Sequence, residues 1–389
     1  MPTSTAFDVT ILGGGLAGRL CAWQLAQTGV PPARIAVVER GPRDGSGAAA
    51  YVAAAMLAPL AEAAVADRFV VDLGLASLAL WRDWLPKLRT PVFFQEAGTL
   101  VVWHAADRGE ASLFANHVRA AAPAERVAAD LRAVDATGIA ALEPLLAQRF
   151  TQGLYLAGEG QLDPRTLLDA LATELEALGV QLRWNTEIAD PRPEALAANG
   201  LGARLVLDCR GLGAKPQWPR LRGLRGEVVR IHAPDVSLTR PVRMLHPRYP
   251  LYIAPKPGNV YVIGATEIES DDMSPASVRS TLELLSAAYA VHPAFGEARV
   301  LELNTQCRPT LPDHRPALRW DAGGTNLGML SVNGLYRHGY MIAPAVTQAA
   351  VAVARELLDG RAMGANNDEW PELFAASRMS PNRPEPVLS

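Results

Sequence analysis

The stretch "VTILGGGLAG", followed by "VVER", constrains this chain more than any other. Gly13, Gly15 and Gly18 form a G-x-G-x-x-G pattern directly after an apolar run, Phe7–Leu12. The same glycines open a segment of helical periodicity, Leu16–Thr28, and Ile35–Val38 then reads as a second buried strand. Glycines at this spacing permit a tight turn, close approach of a pyrophosphate and close helix-strand packing, while the helix N-terminus offers N–H groups and a positive dipole to phosphate. Glu39 follows Gly18 by 21 residues, at the end of the second strand. A carboxylate there accepts hydrogen bonds from both ribose hydroxyls and disfavours a 2′-phosphate. Together these features predict dinucleotide binding through Gly13, Gly15, Leu16, Ala17, Gly18 and Glu39. The fingerprint alone does not separate FAD from NAD. Its early position favours FAD, as does a second stretch of small residues, Gly45–Met56, where backbone N–H groups can approach an extended cofactor.

A chain of 389 residues, 49% apolar, supports two domains or one large interleaved pair. A net charge of -3 gives no case for nucleic acid or an anionic membrane surface. Cys21, Cys209 and Cys307 are far apart and include no C-x-x-C, which argues against a disulfide framework or zinc site and fits a reducing cytosol. No histidine pair at i, i+4 lies near a carboxylate, so no metal is expected. "MPTSTAFDVT" lacks the basic and apolar regions of a signal peptide. No run of ~18 apolar residues suggests a membrane span. A cytoplasmic location is therefore expected.

Along the chain, Glu62 to about Leu88 is helical in pattern, with Trp81 and Trp84 facing inward. "PVFFQEAGTLVVWH" reads as two strands around a glycine turn, and helical segments fill 108–147. Asp163-Pro164 is an N-cap followed by proline at the first helical position. "ARLVLDCRGLGA" is a buried strand running into a glycine turn. Alternation dominates 224–266, 275–290 is helical, and 298–305 is a strand. A strand over Leu327–Val332 and a helix over Ala343–Leu358 close the chain, followed by a Pro-rich tail beyond Arg378.

Five stretches give this chain its resemblance to the D-amino-acid-oxidase-type flavoproteins, and within them to the glycine oxidases of thiamine biosynthesis: "ILGGGLAG…VVER", "AAAMLAPLAE", "LAGEGQLDPRTLLDAL", "YPLYIAPKPGNVYVIGAT", and "CRPTLPDHRPAL" with "NGLYRHGYMIAPA". The resemblance implies an α/β fold. A Rossmann-like FAD-binding domain of glutathione-reductase type (1–90, 148–218, 300–389) would be interleaved with a smaller α+β substrate domain (91–147, 219–299) whose sheet is mostly antiparallel. It implies that Glu39 and Arg40 meet the ribose, that Ala54, Ala55 and Met56 pass the flavin, and that Ile188 lies beside the adenine. Many relatives carry Gly where this chain has Ala55. Gly211, Gly334, Leu335, Tyr336, His338, Gly339, Tyr340 and Met341 would complete the cofactor's surroundings. Arg308 falls where the family has its substrate-carboxylate arginine, Arg337 where it has a second one, Tyr252 where a tyrosine borders the substrate, and Glu62 where an acidic residue lies near the site. His246 and Tyr249 lie in a loop that would cover it.

An α-amino acid brings a carboxylate, an amine and one reactive C–H. A planar two-donor guanidinium fixed by Pro309 suits the carboxylate better than a lysine. Hydride transfer then needs a neutral amine and no protein base. The expectation is non-covalent FAD and oxidation of glycine or another small D- or secondary amino acid to the 2-oxo acid and ammonia, with O2 reduced to H2O2. Two alternatives stay open: a D-amino-acid dehydrogenase passing electrons to a quinone, and a non-catalytic dinucleotide-binding protein. The sequence also leaves open a homo-oligomer.

Overall fold

The computed structural model describes residues 6–247, 250–324, 326–361 and 369–378; Tyr249 and the tail beyond Arg378 lie outside them. Phe7–Leu12 becomes a central strand because nearly every side chain in it can be buried on one face or the other. The buried hydroxyl of Thr10 donates to Leu201 O at 2.8 Å, so its burial leaves no lost hydrogen bond. Ile35–Val38 and Ala203–Asp208 flank this strand in parallel, and Gln181–Arg183 and Gly328–Asn333 extend the sheet outward. Ala317–Ala322 closes one edge antiparallel. One face packs under the helices Leu16–Gln27, Arg68–Trp84, Pro164–Leu178 and Gly339–Leu358. The other face carries Leu12, Ala36, Val38 and Val206 against Leu196 and Leu201. Asp163 caps its helix as expected, its Oδ1 accepting from Arg165 N and Thr166 N at 2.9 Å, and Gly179 ends it with φ +87°.

A nine-stranded sheet forms the second layer. Arg222–His232 lies inside it, paired antiparallel with Val260–Gly264 on one side and Arg299–Thr310 on the other. Its outer face carries Val229, Ile231, Ile253 and Ile263 beneath the helix Val278–Val291. Its inner face turns Val228, Ala254 and Val262 onto Val52 and Ala54 of the alanine-rich stretch. The small side chains there let the second sheet close over the first unit and leave a cleft between them.

Several elements differ from expectation. Gln152–Leu156 and all but the first residue of Arg299–Thr310, expected in the cofactor domain, hydrogen-bond into the nine-stranded sheet. Leu131–Asp135 is a strand rather than part of a helical stretch, because it completes the ladder beside Gln152–Leu156. Phe94–Gln95 and Thr99–Val102 do not pair with each other but enter different sheets.

The last long helix starts at Gly339, not Ala343, and holds Pro344 inside it. Proline cannot donate to the carbonyl four residues back, which usually stops a helix. Here Trp81 Nε1 donates to that freed carbonyl, Tyr340 O, at 2.8 Å, and Ala345 N finds Ser77 Oγ at 3.1 Å. The helix Arg68–Trp84 thus supplies the partners that the proline removes. Among the described residues, the segment Tyr336–Leu358 is long and apolar enough by composition to cross a bilayer, contrary to the expectation from sequence. In the fold, 72% of its most apolar stretch is buried, so its apolarity serves the core.

Replacing Trp81 by Phe should leave Tyr340 O buried without a donor and destabilise the protein by about 1–3 kcal/mol. Urea denaturation of the variant against the parent measures this; an unchanged midpoint would show that the proline needs no such partner.

Candidate active site

A cavity of about 1100 Å³ runs between the two layers, from Glu39 and Arg40 at one end to Arg308 and Arg337 at the other. At the first end, backbone conformation explains the glycines. Gly13 has φ +96°, and a Cβ there would lie 2.5 Å from Cys209 O. A Cβ at Gly18 would lie 1.8 Å from Gly13 O, so this glycine serves helix packing rather than the cavity wall. A Cβ at Gly15 would meet nothing nearer than Ala48 at 3.7 Å, because it faces open space. Leu16 and Ala17 begin the helix at that opening. Glu39 accepts from Gly14 N at 2.6 Å and Gly41 N at 2.8 Å, and lines the cavity.

Arg19 has no counterpart among the expected residues. It is fully buried, donates to Gly14 O at 2.6 Å, Arg43 O at 2.7 Å and Leu168 O, and lies over the Trp184 ring at 4.9 Å. Burial pulls its pKa down to about 10. It staples the glycine turn to the following loop and to the helix Pro164–Leu178.

Along the cavity, Ala54 and Ala55 present backbone with little side chain, and Met56 follows them on the wall. Ala55 has φ +51°, a left-handed conformation that glycine adopts more readily than alanine. The glycine cradle, the helix N-terminus, Glu39 and this small-residue wall fit the pyrophosphate, ribose and ring system of FAD in order along one cleft.

At the far end the charges gather around one carboxylate. Glu62 is buried; Arg243 Nη2 donates to its Oε1, while Arg337 Nε and His338 Nδ1 lie 3.0 and 3.2 Å from its Oε2. Burial opposes its ionisation, but Arg337, Arg243 and His338 outweigh that and hold the carboxyl well below the usual range. Burial pushes His338 down, so its imidazole is neutral at pH 7. Arg337 has a second anion, Glu267, at 3.0 Å, and Tyr336 donates to the same carboxylate at 2.7 Å. Tyr336 has φ +51°, an uncommon backbone state for a bulky residue, held by this bond and by His314, whose ring lies 4.8 Å away.

Arg308 differs from these arginines. Its two Nη atoms donate to Thr266 O at 3.2 and 3.3 Å, and no carboxylate lies within ion-pair distance among the described residues. Burial lowers its pKa, the signature of a cation short of compensation. Gly226 makes room for it, since a Cβ there would sit 2.3 Å from Nη2. Tyr252 stands beside it, with Arg243 and Gly264 opposite on the neighbouring strands. A Cβ at Gly264 would come 2.5 Å from the Tyr252 hydroxyl, so the glycine makes room for the ring. Burial raises the phenol's pKa, leaving it protonated as a donor. A guanidinium with no carboxylate partner among the described residues and a phenol hydroxyl beside it have the chemistry to receive a carboxylate.

Gly211, Leu335, Gly339, Tyr340 and Met341 also line the cavity, so the last helix starts at its wall. Four expected residues do not line it: Gly18, Ile188, Gly334 and His246. Ile188 packs beside Leu12 and Val206, and its carbonyl accepts from Arg210 at 3.0 Å. Gly334, with φ +75°, turns the chain beneath the site, where a Cβ would strike Arg315 O at 2.7 Å. His246 lies beyond the strand Val242–Met244, outside the wall. Burial raises the thiol of Cys307, which approaches Ser270 O at 3.4 Å and packs inertly. Arg243, Thr266, Glu267 and Gly226 were not expected. Only Gly226, a glycine inside the alternating run "RGEVV", gave a local signal, that of a close approach; the others depend on strand register.

Fold and site define a flavin-dependent oxidoreductase. A model of the FAD dependent oxidoreductase family (DAO) matches residues 8–352, and the chain belongs to that family. It is 41% identical over 350 residues, 90% of this chain and 96% of the other, to a Rhizobium etli protein named as the thiamine biosynthesis oxidoreductase ThiO. Its fold is that of glycine oxidase from Geobacillus kaustophilus, with a TM-score of 0.77 at 22% identity, covering 98% of this chain and 100% of that one. It is also that of iminodiacetate oxidase from Chelativorans, with a TM-score of 0.72 at 19% identity, covering 93% and 98%. The cofactor is FAD.

Behind Glu62, Glu159 is fully buried; one oxygen accepts from Ala61 N at 2.6 Å and Oε2 has no hydrogen-bond partner among the described residues. Burial pushes its pKa up to about 7. Below the ordinary value of 4.5 it is protonated whether the chain is folded or not. As pH rises from there through about 7, the unfolded chain ionises first and the fold loses on the order of 3 kcal/mol. Glu159→Gln should remove that loss. Its urea midpoint relative to the parent should therefore be higher at pH 8 than at pH 5, and an equal difference at both would refute the assignment.

Proposed function

We propose that this enzyme oxidises glycine or another small D- or secondary amino acid to the 2-oxo acid and ammonia, reducing O2 to H2O2, as a step in thiamine biosynthesis. The observation that carries the reading is Arg308, a half-buried guanidinium lining the cavity that has a carbonyl but, among the described residues, no carboxylate to answer its charge. Kinship with a protein named for thiamine biosynthesis and a fold shared with a glycine oxidase support the substrate and the pathway.

FAD, held without a covalent bond, supplies the two-electron acceptor. The chain's own residues then have a positioning task. Arg308 and the Tyr252 hydroxyl grip the carboxylate and aim the α C–H along the cavity towards the segment Ala54–Met56. The α-carbon gives up a hydride and the amine a proton, and water hydrolyses the resulting imino acid. No residue here is set up as the base. Glu62 is held ionised by its cations, His338 is held by the same carboxylate, and the substrate amine must arrive neutral or lose its proton to solvent. Glu62 instead fixes Arg243, Arg337 and His338. The buried unpaired cysteines fit action in the cytoplasm.

Arg308→Ala should lower kcat/KM for glycine and sarcosine by about 100-fold or more, as expected for loss of a charge-assisted pair worth about 3 kcal/mol. Flavin content should stay normal by visible absorbance. Peroxide release measured with glycine, sarcosine and D-alanine tests the reading. A flavin-loaded variant as active as the parent would sink it, and substrate-dependent flavin bleaching without peroxide would favour the dehydrogenase.

A further inference from the structure

The substrate end of the cavity holds three guanidiniums, Arg243, Arg308 and Arg337, and two carboxylates, Glu62 and Glu267. His338 is neutral, so the cluster carries an excess of one positive charge. The ion pairs say where that excess resides. Arg243 and Arg337 both engage Glu62, and Arg337 also engages Glu267. Among the described residues, Arg308 engages only the Thr266 carbonyl.

The placement follows from chain continuity. Thr266 and Glu267 are consecutive: the first gives a carbonyl to Arg308, the second a carboxylate to Arg337. The two arginines therefore face neighbouring positions of one segment, but only one is left to receive an anion. Glu267 is 41% exposed in its side chain, and Tyr336 and Arg337 hold its carboxylate from two directions. A partly exposed pair of this kind contributes little to folding. Its larger effect is on what can enter.

We propose that Glu267 is a specificity-determining residue that restricts the site to substrates with a single carboxylate. The proposal rests on Arg308 being the carboxylate receptor. With Glu267 present, a second substrate carboxylate meets an occupied arginine and a like charge, and discrimination comes from repulsion as much as from attraction. The scaffold itself is not the barrier, since the iminodiacetate oxidase of Chelativorans shares the fold.

Sarcosine and iminodiacetate are both secondary amines and differ by one carboxylate, so their ratio of kcat/KM isolates this effect. The purified holoenzyme should prefer sarcosine by roughly 100-fold. Glu267→Gln should narrow that ratio at least tenfold, mainly through a lower KM for iminodiacetate, as one like-charge contact is removed. A merely structural role for Glu267 would change both substrates alike. In parallel, titration of the parent's flavin spectrum should show acetate binding at least tenfold more tightly than malonate. Equal use of sarcosine and iminodiacetate by the parent, equal binding of acetate and malonate, or an unchanged ratio in Glu267→Gln would each overturn the proposal. Arg308→Ala separates the two levels. If it abolishes acetate binding while Glu267→Gln leaves the ratio unchanged, only the role of Glu267 fails. If acetate binding survives Arg308→Ala, the carboxylate reading fails and this one with it.

Discussion

The carboxylate of Glu62 is the point on which the site depends. It is a buried anion that stays ionised because partners from distant parts of the chain converge on it: the cations Arg243, from the large sheet, and Arg337, from the entry to the last helix, with the neutral imidazole of His338 beside them. A buried ion pair is weak evidence for stability, because desolvation offsets much of the attraction. Its value here is geometric. It fixes the closing segment of the chain against the second sheet at the end of the flavin cleft. Arg337 then has no spare charge, and Arg308 is left without a counter-ion among the described residues.

Much of the cofactor end was legible in the sequence, because its determinants are local. Gly13, Gly15, Gly18 and Glu39 lie within one β-α-β unit, and each position follows from backbone geometry that a short stretch encodes. The capped helix after Asp163 was legible for the same reason. The resemblance to flavoproteins brought in Arg308, Tyr252 and Arg337, and the cavity does gather them. What stayed hidden was relational. Arg243 meets Tyr252 only because Val242–Met244 pairs with Leu251–Lys256 in one particular register. Glu267 meets Arg337 across some 70 residues of chain. His246 failed for the converse reason: it is close to Tyr252 in sequence but outside the cavity wall.

The misplaced start of the last helix has a similar cause. Pro344 is a strong local stop signal, and it was overruled by Trp81 and Ser77, more than 250 residues away. The left-handed Ala55 and Tyr336 show the same balance at single residues. Each holds a backbone state its side chain disfavours, each lies on the cleft wall, and surrounding structure holds each in place.

The ladder between Arg222–His232 and Arg299–Thr310 bears on how this site can diverge. Arg308 stands opposite Leu224, its guanidinium resting over Gly226, near the end of a twelve-residue strand. Side chains alternate across a strand, so a slip of one residue would turn Arg308 to the opposite face and bring its neighbour inward. Insertions in the turn before Arg299 leave that pairing untouched, whereas one inside the strand would turn the arginine away from the cleft. The ladder is thus a frame in the genetic sense as well as the mechanical one. Lineages that keep it can vary the walls of the cleft around a fixed arginine, and new substrates become accessible by point changes rather than by rebuilding the fold.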